Sequence, residues 1–99
     1  MQTDWPFDDP KNVAVFTVRQ IMLDGRPILM VVHHSEDGSW EFLTGDALSL
    51  DDLLLVSLRS VVEKDSTIRD LADLPLGWRA VRESPDSPWV REPDPDHSD

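Results

Sequence analysis

A chain of 99 residues makes one domain that can bury only about two thirds of its unfolded surface, so its stability is modest and oligomerisation helps it. There is no cysteine, which excludes disulfides, thiolate nucleophiles and zinc ribbons together and fits a reducing compartment. The net charge is −11, from 20 acidic against 9 basic residues, and no stripe of Lys and Arg is present to neutralise phosphates, so neither nucleic acid nor an anionic membrane is an expected partner.

Most of the acidity sits in the tails: residues 1–12 carry a net −2, residues 83–99 a net −5, and the middle the ordinary remainder of −4. An acidic tail attracts a basic protein or simply keeps a small domain soluble. The start, Met1-Gln2-Thr3-Asp4-Trp5-Pro6, lacks the basic and apolar segments of a signal peptide. No stretch approaches the roughly 20 apolar residues of a membrane helix, and a cytoplasmic location is expected.

Residues 1–12 read as an extended arm, because Pro6 and Pro10 exclude regular helix and central strand. Trp5 and Phe7 on that arm are expected to dock, on this domain in preference to a partner. Val13 to Met22 is rich in β-branched residues and reads as a first strand, with Asp24-Gly25 as a hairpin turn. Ile28 to His34 is a second strand, apolar on both faces through Val32 and therefore central. Asp37-Gly38 is a two-residue turn signal that leads into a third strand from Ser39 to Thr44. Trp40 and Phe42 share one face of that strand, Glu41 keeps the other wet, and Gly45-Asp46 ends it. Two short turns joining three strands predict an antiparallel meander.

Leu48 to Val62 fits either a helical face or a buried strand, and Ser60-x-x-Glu63 arbitrates. Read as a capping box, it starts a helix at Val61, so Leu53 to Leu58 is a strand. Asp65-Ser66-Thr67 caps a second short helix with Ile68, Leu71 and Ala72 on one face, stopped by Pro75 and Gly77. Trp78 to Glu83 is a last strand. Residues 85–99 alternate Pro with Asp, Glu and Ser, the composition of a disordered tail in which Trp89-Val90 is the one sticky point.

Little here resembles catalytic machinery. His33 and His34 are adjacent on a strand and diverge, so they cannot share an ion, and no metal or cofactor is expected. Ser35, Ser39 and Ser57 lack a nucleophile-elbow pattern, Asp51-Asp52 is explained by capping, and Gly25, Gly38 and Gly45 are isolated turn glycines. The four tryptophans in a chain without tyrosine say more. Trp40 and Trp78 are core candidates on strands, whereas Trp5 and Trp89 sit on flanking arms, where tryptophan serves either a partner or the sheet itself.

From Gly38 to Arg82 the chain carries Gly38-x-Trp40-x-Phe42-x-x-Gly45-Asp46, Val56-x-Leu58, Asp65-x-x-Ile68, Leu74-Pro75-x-Gly77 and Arg82. In these motifs it resembles a small bacterial family of unknown biochemical activity, assigned in polymorphic-toxin systems to a class of immunity proteins. The family's tyrosines are missing, and Ala47-Leu48-Ser49-Leu50 replaces its acidic loop. The resemblance implies a binding protein.

The sequence thus predicts an α+β fold: an antiparallel sheet of four to five strands with one or two short helices on one face, in a single domain over residues 13–84. The expected function is a non-catalytic protein-binding module of immunity type, monomer or homodimer. Its partner-binding candidates are Trp5, Phe7, Trp40, Asp46, Trp78, Arg82 and Trp89. An alternative is a small enzyme or ligand-binding protein with a site near His33, Asp46 and Arg82.

Overall fold

A computed structural model describes residues 5–95, so readings that involve Met1 to Asp4 or the last four residues of the tail, 96–99, lie outside the described residues. The class is α+β, but the sheet has six strands and is mixed rather than antiparallel. In chain order the strands are β1 (Ala14–Val18), β2 (Met30–His33), β3 (Trp40–Leu43), β4 (Leu53–Ser57), β5 (Trp78–Val81) and β6 (Val90–Pro93). The order across the sheet is β4-β1-β3-β2-β5-β6, with β1 parallel to β3 and every other pair antiparallel.

The predicted meander fails at its first turn. β1 ends at Val18, and Arg19–Met22 coil into a single helical turn, α1, that buries Ile21. Gly25 still reverses the chain, at φ 75°, and Arg26 N–H closes the loop on Gln20 O at 2.9 Å, but no β1–β2 ladder forms. β3 takes the place beside β1 instead, Phe16 opposite Glu41. The β2–β3 hairpin is as expected, with His33 opposite Trp40. Its loop is longer than the two-residue turn read from Asp37-Gly38: Gly38 N–H donates to His34 O and His34 N–H to Ser39 O. Of the loop residues only Gly38 has positive φ, 74°, while the Asp37 carboxylate accepts from Ser39 N–H at 3.0 Å.

Leu53–Ser57 is a strand, as the capping argument required, though the cap differs. Ser57, not Ser60, begins helix α2 (Leu58–Lys64), its Oγ accepting Ser60 N–H at 3.1 Å, while Glu63 pairs with Arg59 one turn back. Asp65 caps a 3₁₀ helix over Ser66–Leu71, where its carboxylate takes both Thr67 N–H and Thr67 Oγ–H. The buried helical side chains Ile21, Leu58, Val61, Ile68 and Leu71 form one cluster with Val15, Val31, Phe42 and Ala80. Most of the core is therefore on one face of the sheet, while Val18 and Val32, which alternate onto the other face, are also buried.

The segment expected as a disordered tail is a correction through Asp94. Val90 pairs with Val81 and Pro93 with Trp78, making β6 the edge strand beside β5. Arg79 Nε binds Glu92 at 2.6 Å, and Arg91 reaches Asp70 O at 2.7 Å and the Asp73 carboxylate at 2.8 Å. Proline is tolerated because β6 is outermost. The acidic composition concealed that its charges have fixed partners.

Candidate functional site

The sequence candidates divide into two structural assemblies. In the first, the N-terminal arm folds over one end of the sheet. Phe7 is buried edge-on against Trp40 with ring centroids 5.5 Å apart, and Trp5 tilts onto Phe7 at 5.4 Å. His33 stacks on Trp40 at 3.8 Å, its Nδ1 2.7 Å from Leu74 O. Asp9 fastens the arm: its carboxylate accepts Trp40 Nε1–H at 2.8 Å and its carbonyl accepts Trp5 Nε1–H at 2.7 Å. Trp78 is half-buried, packed against the same core.

The second assembly is built around Arg82, just past β5. The guanidinium donates from Nε to Ile28 O at 3.0 Å, from Nη1 to Thr67 Oγ at 3.1 Å and Pro85 O at 3.3 Å, and from Nη2 to the Asp65 carboxylate at 2.6 Å. Trp89 covers it with the ring centroid 4.1 Å away. Arg82 thus ties the segment before β2, the 3₁₀ helix, the 84–88 turn and the residue before β6 into one body. Asp46 stands apart, exposed and paired with Arg26 at 3.0 Å.

These positions bear on the alternative site. Arg82 N–H binds Leu29 O, just ahead of β2 and four residues before His33, which puts Arg82 and His33 roughly 13 Å apart along the strand direction. Each polar group has a separate local partner: His33 the Leu74 carbonyl, Asp46 the Arg26 guanidinium, and Arg82 its four acceptors. His34 points to the other face and binds Glu41, Nε2 to Oε1 2.9 Å. The three residues do not converge on a shared space. Among the described residues no group of three His, Cys, Asp or Glu is placed to hold a metal ion.

What the structure leaves exposed is part of the other face of the sheet, around β1 and β4. Register puts Leu55, Phe16, Glu41, Val32, Arg79 and Glu92 in one row across all six strands. Phe16, Leu55 and Val32 stand outside the core cluster, though Val32 is itself buried. Phe16 is 39% exposed and Leu55 63% exposed, side by side on β1 and β4. The polar members are partnered, Glu41 by a hydrogen bond with His34 and Arg79 by an ion pair with Glu92, so an apolar end is bordered by partnered polar groups. Reasoning from the sequence missed Phe16 and Leu55. The available signal was that β1 and β4 are apolar at odd and even positions alike, so that only one of their faces suits the core.

No family model, no curated protein and no solved structure matches the chain.

Proposed function

We propose that this chain is a non-catalytic protein-binding module that docks its partner on the open face of the sheet, around Phe16 and Leu55. The observation that carries this reading is that pair: two large apolar side chains, adjacent in register and exposed, on the face opposite most of the core. Covering each is worth on the order of 1–2 kcal/mol, enough to seed an interface that the paired rim charges then orient. The arm aromatics expected to bind are occupied internally, Phe7 against Trp40 and Trp89 against Arg82, which supports reading the sheet in place of the arms as the contact surface. The partner is another protein, met in the cytoplasm. The immunity-type assignment rests on the motif likeness from Gly38 to Arg82 alone.

The test is capture from the native host's lysate by wild-type chain, by Phe16→Ser and by Leu76→Ser, a control at an exposed leucine in the loop before β5. Circular dichroism verifies that each variant is folded. The expected result is a near-stoichiometric protein held by wild type and Leu76→Ser and lost by Phe16→Ser. Equal capture by all three, or none by wild type, removes the reading.

A further inference from the structure

We propose that the β4 edge of the sheet is a self-pairing surface, joining two copies of this chain through antiparallel β4 strands about a two-fold axis at Leu55. The proposal does not rest on the partner-binding reading, because edge pairing leaves the open face uncovered.

The two edges of the sheet are built differently. β6 carries Arg91, Glu92 and Pro93, the charges and proline that keep an edge from recruiting another strand. β4 is Leu53-Leu54-Leu55-Val56-Ser57, with no charge and no proline. Its backbone polarity follows from its pairing with β1. Leu58 N–H donates to Val13 O at 2.9 Å, in line with the register Ala14↔Ser57 through Val18↔Leu53. Hydrogen-bonded pairs alternate in an antiparallel ladder, so Val56 and Leu54 turn their N–H and C=O groups to β1. Leu53, Leu55 and Ser57 turn theirs outward.

Two of those outward groups are already used. Leu53 N–H closes the 3₁₀ turn on Leu50 O, and Ser57, as the N-cap of α2, gives its carbonyl to the helix. What is left is Leu53 C=O, Leu55 N–H and C=O, and Ser57 N–H. This set is complementary to itself under a two-fold axis. Leu55 pairs with Leu55 of the second copy through two hydrogen bonds, and Ser57 N–H of each copy donates to Leu53 C=O of the other. That makes four bonds, with no donor or acceptor of the edge left over. Leu54 of each copy then faces Val56 of the other in a close, non-hydrogen-bonded pair, and both side chains are only half-buried in the single chain. The six-stranded sheet becomes twelve-stranded. A five-residue edge is a small contact beside the roughly 1,600 Å² of a standard interface, so the association is weak, in the micromolar range.

The test is sedimentation velocity of the full chain across a series from low to high micromolar. Wild type is expected to move from the 11.3 kDa monomer towards twice that mass. Leu55→Lys sets two ammonium groups across the axis and is expected to weaken association by about tenfold or more. Val90→Lys, on the other edge, is expected to leave it unchanged, and circular dichroism verifies that both variants are folded. A wild type that stays monomeric at high micromolar concentration overturns the proposal, as does a Leu55→Lys chain that dimerises like wild type.

Discussion

Replacing Arg82 by methionine tests the claim that this residue is an internal clamp and not a contact for a partner. Its side chain is 2% exposed and Asp65, its ion-pair partner, 21% exposed. The substitution keeps the aliphatic stem but removes the donors that satisfy Ile28 O, Thr67 Oγ, Pro85 O and the Asp65 carboxylate, together with the cation beneath Trp89. Breaking a buried pair costs about 3–5 kcal/mol when the remaining charge is stranded. Asp65 sits at the rim, where water can reach it, and it keeps its bonds to Thr67, so the low end applies: about 3 kcal/mol, most of it from orphaned acceptors such as Ile28 O. That is a large share of the ~5–15 kcal/mol holding a domain of this size, and corresponds to a fall in Tm of about 12–24 °C. Urea titration followed by tryptophan fluorescence and far-UV circular dichroism measures it. Arg82→Lys should lose at least about 2 kcal/mol, because one ammonium cannot match four acceptors arranged for a planar fork. A cost below about 1 kcal/mol for Arg82→Met, with loss of a binding partner, would refute the clamp.

Three further outcomes follow from the geometry. Asp9→Ala strands Trp40 Nε1–H in the core and should cost about 1–2 kcal/mol while releasing the N-terminal arm to limited proteolysis, whereas Asp9→Asn, which keeps an acceptor, should be milder. Thr17→Val is nearly isosteric but removes the buried donor to Phe42 O at 2.9 Å, and should cost about 1 kcal/mol in the same titration. Asp73 is held below its ordinary value of 3.8 by hydrogen bonding to Arg91 and by that guanidinium's charge. A depressed carboxylate pKa means the contact helps above the ordinary Asp range and is lost as pH falls through the folded value. An NMR titration of Asp73 should show a midpoint under 3.8 that returns to the ordinary range in Arg91→Ala, and an unchanged midpoint would show that the pair is not formed in solution.

The elements were more legible in the sequence than their arrangement. β-branched runs and the Asp37-Gly38 signal located β2 and β3, and the clash between a capping signal and an apolar run located β4. The order of the sheet was not legible, because Arg19–Met22 continue an apolar strand pattern yet coil, and nothing local says that β3 displaces β2 from the side of β1. β6 was hidden for a related reason: Arg91 and Glu92 look solvated until Asp73, Asp70 and Arg79 are seen opposite them. The same gap explains the site. Trp5, Phe7, Trp40 and Trp89 attract attention as binding residues by type, but each has a ring or cation of this chain against it. Phe16 and Leu55 look like ordinary core residues, and only their placement opposite most of the core leaves them exposed.

The central claim is that partners meet the open face of the sheet. A photo-crosslinking phenylalanine analogue at position 16, compared with the same analogue at Leu76, tests it most directly in living cells of the native host. The account predicts one discrete heavier adduct from position 16, a chain-plus-partner mass distinct from that of a homodimer, and none from position 76. An adduct from position 76 alone, or no adduct from position 16 at normal expression, would contradict it.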